Sequence, residues 1–337
     1  MKSSVVISKF VVLAFAFIAF SVTSSDAQGI SVNARAYLQG ALTNSFGTGT
    51  SHDRPLMRDD LRNNPFTDSR VIPDDDIYQT PLVLNEYVTI DLTGSYTHVG
   101  CGAYPQYQSI PVPATVFAVT GEDAIVDWVF LELRDKNDYT SVVATRSALV
   151  QRDGDIVDLD GTSAVFFNDV TPDSYFLVVR HRNHLGVMTK YPRSADDLAD
   201  LIDFSDVSTG VFDFANADNM FNYSGLATTA MNVEGYELMA LWAGDCNADG
   251  KIIFRGDDND LTVIHEEIAG FDMTLNPLFK LDFQLSVGYL QGDIDMNGKV
   301  KFDNPNDDRN ILLVQVVLFS LNSSNITNFA HLIEQLP

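Results

Sequence analysis

Two short stretches near the C-terminus, 48 residues apart, place oxygen-bearing side chains at alternate positions. Each has a glycine at its sixth position, and a branched apolar residue follows at the eighth. This spacing matches the first half of an EF-hand calcium loop, in which side-chain oxygens turn inward and the seventh residue offers its main-chain carbonyl. The sequence therefore predicts two Ca²⁺ sites, with the ligands Asp245, Asn247, Asp249 and Lys251 in the first and Asp293, Asp295, Asn297 and Lys299 in the second.

The twelfth position of each stretch lacks the acid that closes an EF-hand loop. Gly256 and Asn304 stand there, and neither supplies a bidentate carboxylate. The acids available a few residues away are Asp257, Asp258 and Asp260 in the first copy and Asp303, Asp307 and Asp308 in the second. We favour Asp260 and Asp308 as closing ligands, because they occupy matching positions at the start of a predicted helix, where an acid suits the positive helix end.

Apolar residues recur at helical spacing after both stretches, at Leu261, Ile264 and Ile268 and again at Ile311, Val314 and Leu318. Each unit is therefore predicted to be a loop followed by one helix, without an entering helix. Paired units of this kind resemble type I dockerin repeats, which assemble enzymes onto scaffolds through cohesin domains. The chain departs from that pattern by four extra residues before the closing acid, at 255–258 and 303–306.

A closer resemblance is to the C-terminal regions of secreted bacterial surface proteins, often labelled haemagglutinin-like or dockerin-like. It is carried by the motif LWAGD at 241–245, by the ending EQLP at 334–337, and upstream by residues 127–135 and 180–189. The resemblance implies an N-terminal β-sandwich joined to C-terminal tandem calcium-binding repeats. It defines the architecture of the chain more closely than its biochemical activity.

The N-terminus has the features of a secretory signal peptide. Lys2 and Lys9 precede an apolar run at 10–22, and small residues stand at the −3 and −1 positions of a cleavage site after Ala27. The apolar run is short for a spanning helix. Residues 1–27 are therefore predicted to be a signal peptide, and the mature chain is predicted to be secreted or at the cell surface, with no integral membrane span.

Charge and cysteine content fit an exported calcium protein. The formal net charge of −25 disfavours nucleic acid as a partner and accommodates divalent cations. The only cysteines, Cys101 and Cys246, permit one disulfide, but their spacing alone does not establish that it forms.

The pattern of residues 28–238 predicts short strands separated by turn residues, which indicates an antiparallel β-sandwich. Residues 239–337 form the predicted repeat domain. A stretch with little periodicity, 44–81, is predicted to be a long functional or mobile loop, with a short helix at 56–62 whose arginines pair with its acids. The predicted strands are 31–38, 87–92, 115–120, 127–133, 141–150, 164–168 and 174–181.

Two further clusters allow a metal interpretation. The acids between Asp153 and Asp160 are spaced as if to share a cation, but Asp-Gly pairs favour two turns flanking a short strand. His181 and His184 suit zinc only on a helix, and we favour a polar strand end that leads into a turn at 185–186.

No nucleophile elbow, phosphate-binding glycine loop or zinc-protease helix is present in the sequence. We therefore predict a non-catalytic protein whose calcium-stabilised repeats support attachment, adhesion or docking to a protein or glycan on a cell surface or scaffold. The alternatives are a carbohydrate-binding lectin or accessory module and, less favoured, a glycoside hydrolase that uses scattered acids.

Overall fold

The computed structural model describes residues 29–42, 54–79, 82–83, 89–90, 92, 94–100, 111–213, 228–233, 236–303, 307–330 and 332–337. The predicted signal peptide at 1–27 and its cleavage site after Ala27 lie outside the described residues. So do Cys101 and the first ten residues of the predicted long loop, 44–53. Cys246 is a free, buried thiol.

The described residues are mainly β. The strands in chain order are β1 (Gly29–Arg35), β2 (Leu82–Val83), β3 (Thr89–Ile90), β4 (Ile125–Asp135), β5 (Val142–Gln151), β6 (Asp155–Val157), β7 (Val165–Asn168), β8 (Ser174–His181), β9 (His184–Met188), β10 (Arg193–Ser194), β11 (Leu201–Asp203), β12 (Thr228–Val233) and β13 (Tyr236–Leu241). The helices are α1 (Gln39–Leu42), α2 (Ala195–Ala199), α3 (Leu261–Gly270) and α4 (Asp308–Leu318).

One curled sheet organises the first part of the chain. Its path is β10-β8-β4-β5-β6-β1-β11, with β7 paired to β1 and β9 paired to β8. All of these pairs are antiparallel except β1 with β11. The predicted antiparallel, mainly β character is confirmed. Among the described residues, seven strands follow this one hydrogen-bonded path and two more pair at its side, so that the strands of the predicted sandwich belong to one connected, curled sheet with bulges between β4 and β5.

The centre of this sheet is β4, in which every residue from Ile125 to Arg134 is buried. It lies between β5 and β8, and the core around it includes Trp128 and Phe130. A strand covered on both faces reads as a nearly continuous apolar run, which is why its alternation in the sequence is imperfect.

The predicted strands at 127–133, 141–150, 164–168 and 174–181 correspond to β4, β5, β7 and β8. The predicted strand at 115–120 is wrong, because residues 114–118 form a turn. Pro113 lies at its start, and its carbonyl accepts a hydrogen bond from the Val116 amide at 2.9 Å. The predicted turns around β6 are confirmed, and Asp155 and Asp158 pair separately with Arg35 and Arg146.

The segment of residues 54–79 is built from turns and bends. The predicted helix at 56–62 is wrong, although the predicted pairing is present, since Arg62 Nε donates to Asp59 at 3.0 Å. The segment is held by its apolar side chains, which enter the core of the sheet at Met57, Leu61, Ile72, Ile77 and Tyr78. Their burial favours this irregular path against the sheet over a helix on its surface.

A second, smaller core follows β13. It packs α3 and α4 against the two predicted calcium loops, through residues that include Ile252, Ile264, Val300, Leu312 and Val316. The predicted domain boundary at 238/239 falls inside β13. Within the described part of the chain, none of the helices combines the length and apolar character needed to cross a membrane.

Candidate metal centre

The two predicted loops have the same backbone conformation. Gly250 and Gly298, at the sixth position, have φ angles of 77° and 81°. Ala248 and Met296, at the fourth position, have φ angles of 55° and 54°. The left-handed conformation at the sixth position explains the glycine there, because a side chain is disfavoured at such angles. The repeat seen in the sequence is therefore also a repeat of backbone geometry.

The first acid of each loop turns into the loop. The Asp245 carboxylate accepts hydrogen bonds from the Asp249 amide at 3.0 Å and the Gly250 amide at 3.1 Å. The Asp293 carboxylate accepts them from the corresponding amides of Asn297 and Gly298 at 3.0 and 2.7 Å. Both carboxylates are thus held at the centre of the loop by their own backbone.

The closing acids reach across the loops in the same manner. Asp260 accepts hydrogen bonds from the amides of Cys246 and Ile253, each at 2.7 Å. Asp308 accepts from the amides of Ile294 at 2.7 Å and Lys301 at 2.8 Å, which are the corresponding positions. The four extra residues therefore carry the chain to α3 or α4 without moving the closing acid away from the loop.

The other nearby acids are placed differently. Asp307 caps α4, since its side chain accepts a hydrogen bond from the Asn310 amide at 2.6 Å. Asp257, Asp258 and Asp303 are exposed. Among the acids that the sequence left open, the structure brings Asp260 and Asp308 onto the loops.

The main-chain groups of Lys251 and Lys299 are available to the loops. Lys251 forms an isolated antiparallel bridge with Ile333, and Lys299 forms one with Val287. In both, the hydrogen bonds run through the flanking residues, as between the Glu334 amide and the Gly250 carbonyl at 2.7 Å. The carbonyl of each lysine therefore faces away from the paired segment.

The second loop gathers its oxygens most closely. Ligand atoms of Asp293, Asp295 and Asp308 lie within 4.8 Å of one another, and all three residues are buried. Among the described residues, Asp295 Oδ1 and Asn297 Oδ1 have no hydrogen-bond partner. Buried oxygens without a donor are costly, and three carboxylates clustered this closely match the ligand preference of Ca²⁺. The residues present therefore fit a hard divalent cation.

The electrostatics agree with this fit. Burial, together with nearby acids, raises the pKa of Asp245, Asp293 and Asp308 well above the usual range. Burial also raises the pKa of Asp260 to about 8. Ionised carboxylates held this close together and out of water favour a bound cation.

The first loop brings together Asp245 and Asp260 but leaves its middle more open. Asn247 Oδ1 accepts a hydrogen bond from the Asp249 amide at 3.1 Å, and Asp249 Oδ1 accepts one from the Lys251 amide at 2.9 Å. Asn247 and Asp249 thus bond to their own loop, and residues 247–250 are half-buried or exposed.

The turn between β8 and β9 joins the two loops, which the sequence did not indicate. The Asn183 carbonyl accepts a hydrogen bond from the Gly244 amide at 2.9 Å. Asn183 Nδ2 donates to the carbonyls of Gln291 and Asp293, at 2.9 and 3.0 Å. One asparagine therefore contacts the start of both loops. The only signal in the sequence was a polar run directly after a buried strand.

The predicted turn at 185–186 is wrong, because the chain turns at Arg182 and Asn183 instead. His181 bonds to Asp127 at 3.1 Å, and His184 Nε2 accepts a hydrogen bond from the Gly40 amide at 3.1 Å. Both histidines are fully buried and have core hydrogen bonds. The backbone of His184 also bridges to Ala243, which precedes the first loop.

The two repeats also contact each other's loops, 48 residues apart in register. Glu267 on α3 accepts hydrogen bonds from the amides of Gln291 and Gly292 at 2.8 and 2.7 Å. Gln315 on α4 donates to the Ala243 carbonyl at the start of the first loop. Each helix therefore packs over the loop of the other repeat.

A second matched pair follows the helices. Asn276 and Asn322 each fold a turn by bonding to the last part of the preceding helix, at the carbonyls of Ile268 and Val316. The two asparagines are 46 residues apart, so they do not align in the 48-residue register of the loops.

Comparisons of this chain with protein-family models, with curated proteins and with solved structures find no match. The candidate metal centre is therefore argued from the loops themselves. Its strongest feature is that two segments with different side chains place the first and the closing acid on equivalent backbone amides.

Proposed function

We propose that the two loops bind two Ca²⁺ ions and that residues 239–337 form a dockerin-like repeat module in a non-catalytic protein of the cell surface. The observation that best supports two sites is the duplicated geometry of the first and closing acids. Residues 1–27 remain the proposed signal peptide, which supports export. The module would attach the protein to another protein or to a glycan on a surface or scaffold.

Each loop supplies an all-oxygen ligand set. In the second loop these are the side chains of Asp293, Asp295, Asn297 and Asp308 with the Lys299 carbonyl. In the first they are the side chains of Asp245, Asn247, Asp249 and Asp260 with the Lys251 carbonyl. When bound, calcium supplies the positive charge that offsets the buried carboxylates.

A structural role is favoured over a catalytic one. Every residue of 291–300 is buried, so the second loop offers no path for a substrate to reach a metal. Catalytic metal sites keep an open coordination position instead. The loops also form one core with α3 and α4, so that metal binding contributes directly to the stability of the module.

The first experiment measures calcium binding and stability on the chain from residue 28 onward. Isothermal titration should give two Ca²⁺ ions per chain, and thermal melts should shift upward with calcium and downward with chelator. At free calcium about 1,000 times the dissociation constant, one site adds about 4 kcal/mol to the free energy of unfolding.

Loop variants assign the two sites. Asp245→Ala and Asp293→Ala should each remove one bound ion, whereas Asp282→Ala, an exposed acid outside both loops, should remove none. An unchanged melt together with no binding heat for the wild type would rule out the calcium sites.

The attachment role requires a separate measurement. The wild-type chain is used to capture partners from cell envelopes, first with calcium and then with chelator. Capture that disappears with chelator and in Asp293→Ala supports docking through the repeats. If capture persists with chelator and also in Asp293→Ala, the partner binds elsewhere on the chain.

A further inference from the structure

The segment of residues 54–79 lies directly on the second loop. Arg58 Nη1 donates to the Asp295 carbonyl at 3.0 Å and to Asp295 Oδ2 at 3.1 Å. Asn64 Nδ2 donates to the carbonyls of Asn297 and Gly298, each at 3.4 Å. Two side chains from a segment more than 200 residues away in sequence thus contact the third, fifth and sixth positions of one loop, at Asp295, Asn297 and Gly298.

The two carboxylate oxygens of Asp295 differ in their hydrogen bonding. Oδ2 bonds to Arg58, while Oδ1 has no partner among the described residues. Ligating carboxylates commonly give one oxygen to the metal and accept a hydrogen bond with the other, which fixes their orientation. The Arg58 side chain is only 14 % exposed, so its direction is set by its surroundings.

Asn64 holds the backbone of the same loop. Its side chain bonds to the carbonyls that immediately precede Lys299, the residue whose own carbonyl is a proposed ligand. Asn64 is buried, and its backbone amide also donates to the Ser69 carbonyl at 3.0 Å. One residue therefore fixes both the metal loop and the base of the exposed turn at 65–69.

We propose that Arg58 and Asn64 are positioning residues of the second calcium site, so that calcium binding there and anchoring of the 54–79 segment are coupled. The coupling runs through Asp295 and through the backbone of Asn297 and Gly298. It rests on the proposed function, because it requires calcium in the second loop. Its consequence is that calcium controls how the turn at 65–69, with Phe66 at its surface, is presented.

The first loop provides an internal reference. Its middle residues are half-buried or exposed, and its backbone pairs with residues 332–334 as that of the second loop pairs with 286–288, whereas the Arg58 and Asn64 side chains bond to the second loop. Among the described residues, the side-chain contacts of Arg58 and Asn64 therefore link the segment to the second loop and not to the first. The calcium-dependent anchoring of the 54–79 segment should therefore depend on Asp308 and be independent of Asp260.

Hydrogen exchange read by mass spectrometry tests the coupling. In the wild type, calcium should slow amide exchange in peptides from 54–79 by about tenfold, a typical coupling between linked sites. Asp308→Ala should abolish this slowing, and Asp260→Ala should retain it. Titration calorimetry on the same samples reports how many ions bind.

Variants of Arg58 separate positioning from folding. Arg58→Ala should still bind two ions but should lose the calcium-dependent slowing, and Arg58→Lys should restore part of it. The matched control is Arg62→Ala, which removes an arginine of the same segment that pairs with Asp59. If Arg58→Ala is poorly folded, Arg58→Gln, which keeps a donor and most of the side-chain length, replaces it.

The outcomes distinguish the two proposals. Two bound ions with unchanged exchange in 54–79 would overturn the coupling and leave the calcium sites intact. Equal slowing in wild type and Arg58→Ala would also overturn the role of Arg58. Failure to bind calcium at all would overturn both proposals.

Discussion

The two loops of the repeat module share their backbone but not their surroundings. In the second, every residue from 291 to 300 is buried, whereas residues 247–250 of the first are half-buried or exposed. The first and closing acids accept equivalent hydrogen bonds in both. The difference therefore arises from what covers each loop.

The cover of the second loop comes from the sheet side of the molecule. Arg58 contacts Asp295, and Arg182 donates to the Leu290 carbonyl while it pairs with Asp127 at 3.0 Å. The backbone of the first loop pairs with residues 332–334 of the repeat module, as the backbone of the second pairs with 286–288, so the added cover of the second loop is these arginines. A repeated loop can thus keep one ligand geometry while one copy becomes an interface and the other stays near solvent.

The largest effect that separates the two loops is expected at Arg182. Arg182 and Asp127 are fully buried and pair with each other. Because Arg182→Ala leaves an uncompensated buried carboxylate, the free energy of unfolding should fall by about 3–5 kcal/mol in urea denaturation.

The comparison variant at the first loop is Lys251→Ala. The Lys251 side chain is 42 % exposed and lies 4.0 Å from Asp249. Its loss should change the free energy of unfolding by no more than about 0.5 kcal/mol. Equal losses in Arg182→Ala and Lys251→Ala would show that the second loop is not joined more strongly to the sheet than the first.

The loops themselves could be predicted because their information is local. Alternate oxygens and a glycine fix the first half of each loop, and the 48-residue register selects Asp260 and Asp308. The structure places both on the predicted loops. Calcium itself remains a prediction.

The surroundings of the loops could not be predicted for the opposite reason. Arg58 and Asn183 reach the second loop from more than 100 residues away in sequence, and neither stands in a recognisable motif. The predicted helix at 56–62 failed because tertiary burial of its apolar residues overrides a local charge pattern. Likewise, strand alternation predicts β-structure but not whether strands join one curled sheet or two flat ones.

A smaller effect should separate the two loop glycines. Gly250 and Gly298 both have positive φ, so an alanine at either position costs about 1–2 kcal/mol from backbone strain. At Gly298 the added Cβ would lie 1.8 Å from Asn64 Nδ2, whereas at Gly250 its nearest neighbour is 3.5 Å away. Gly298→Ala must also displace Asn64.

Denaturant unfolding of both glycine variants measures the difference. Gly298→Ala should lose about 1–2 kcal/mol more than Gly250→Ala, since the Asn64 hydrogen bonds are lost as well. The extra loss should disappear in an Asn64→Ala background, where the collision is absent. Equal losses in the original background would show that the segment is not held tightly against the second loop.

The last difference concerns how the two helices hold each other's loops. Glu267 contacts the start of the second loop, and burial raises its pKa to about 7. Between its ordinary pKa and this value, the folded state keeps a proton that the unfolded state has released. The contribution of Glu267 to the free energy of unfolding is therefore largest at acidic pH and falls as the pH rises toward 7, by at most about 1.4 kcal/mol per pH unit.

Gln315, the corresponding residue of α4, carries no titratable group and donates to the first loop instead. Glu267→Gln should reduce the fall in stability between about pH 5 and pH 7, measured by denaturant unfolding at each pH. Gln315→Ala should lower stability by about 1 kcal/mol at every pH, because it removes a neutral hydrogen bond. A wild-type slope that survives Glu267→Gln would assign the pH dependence to the loop carboxylates, which both repeats share, and would remove this difference between the two loops.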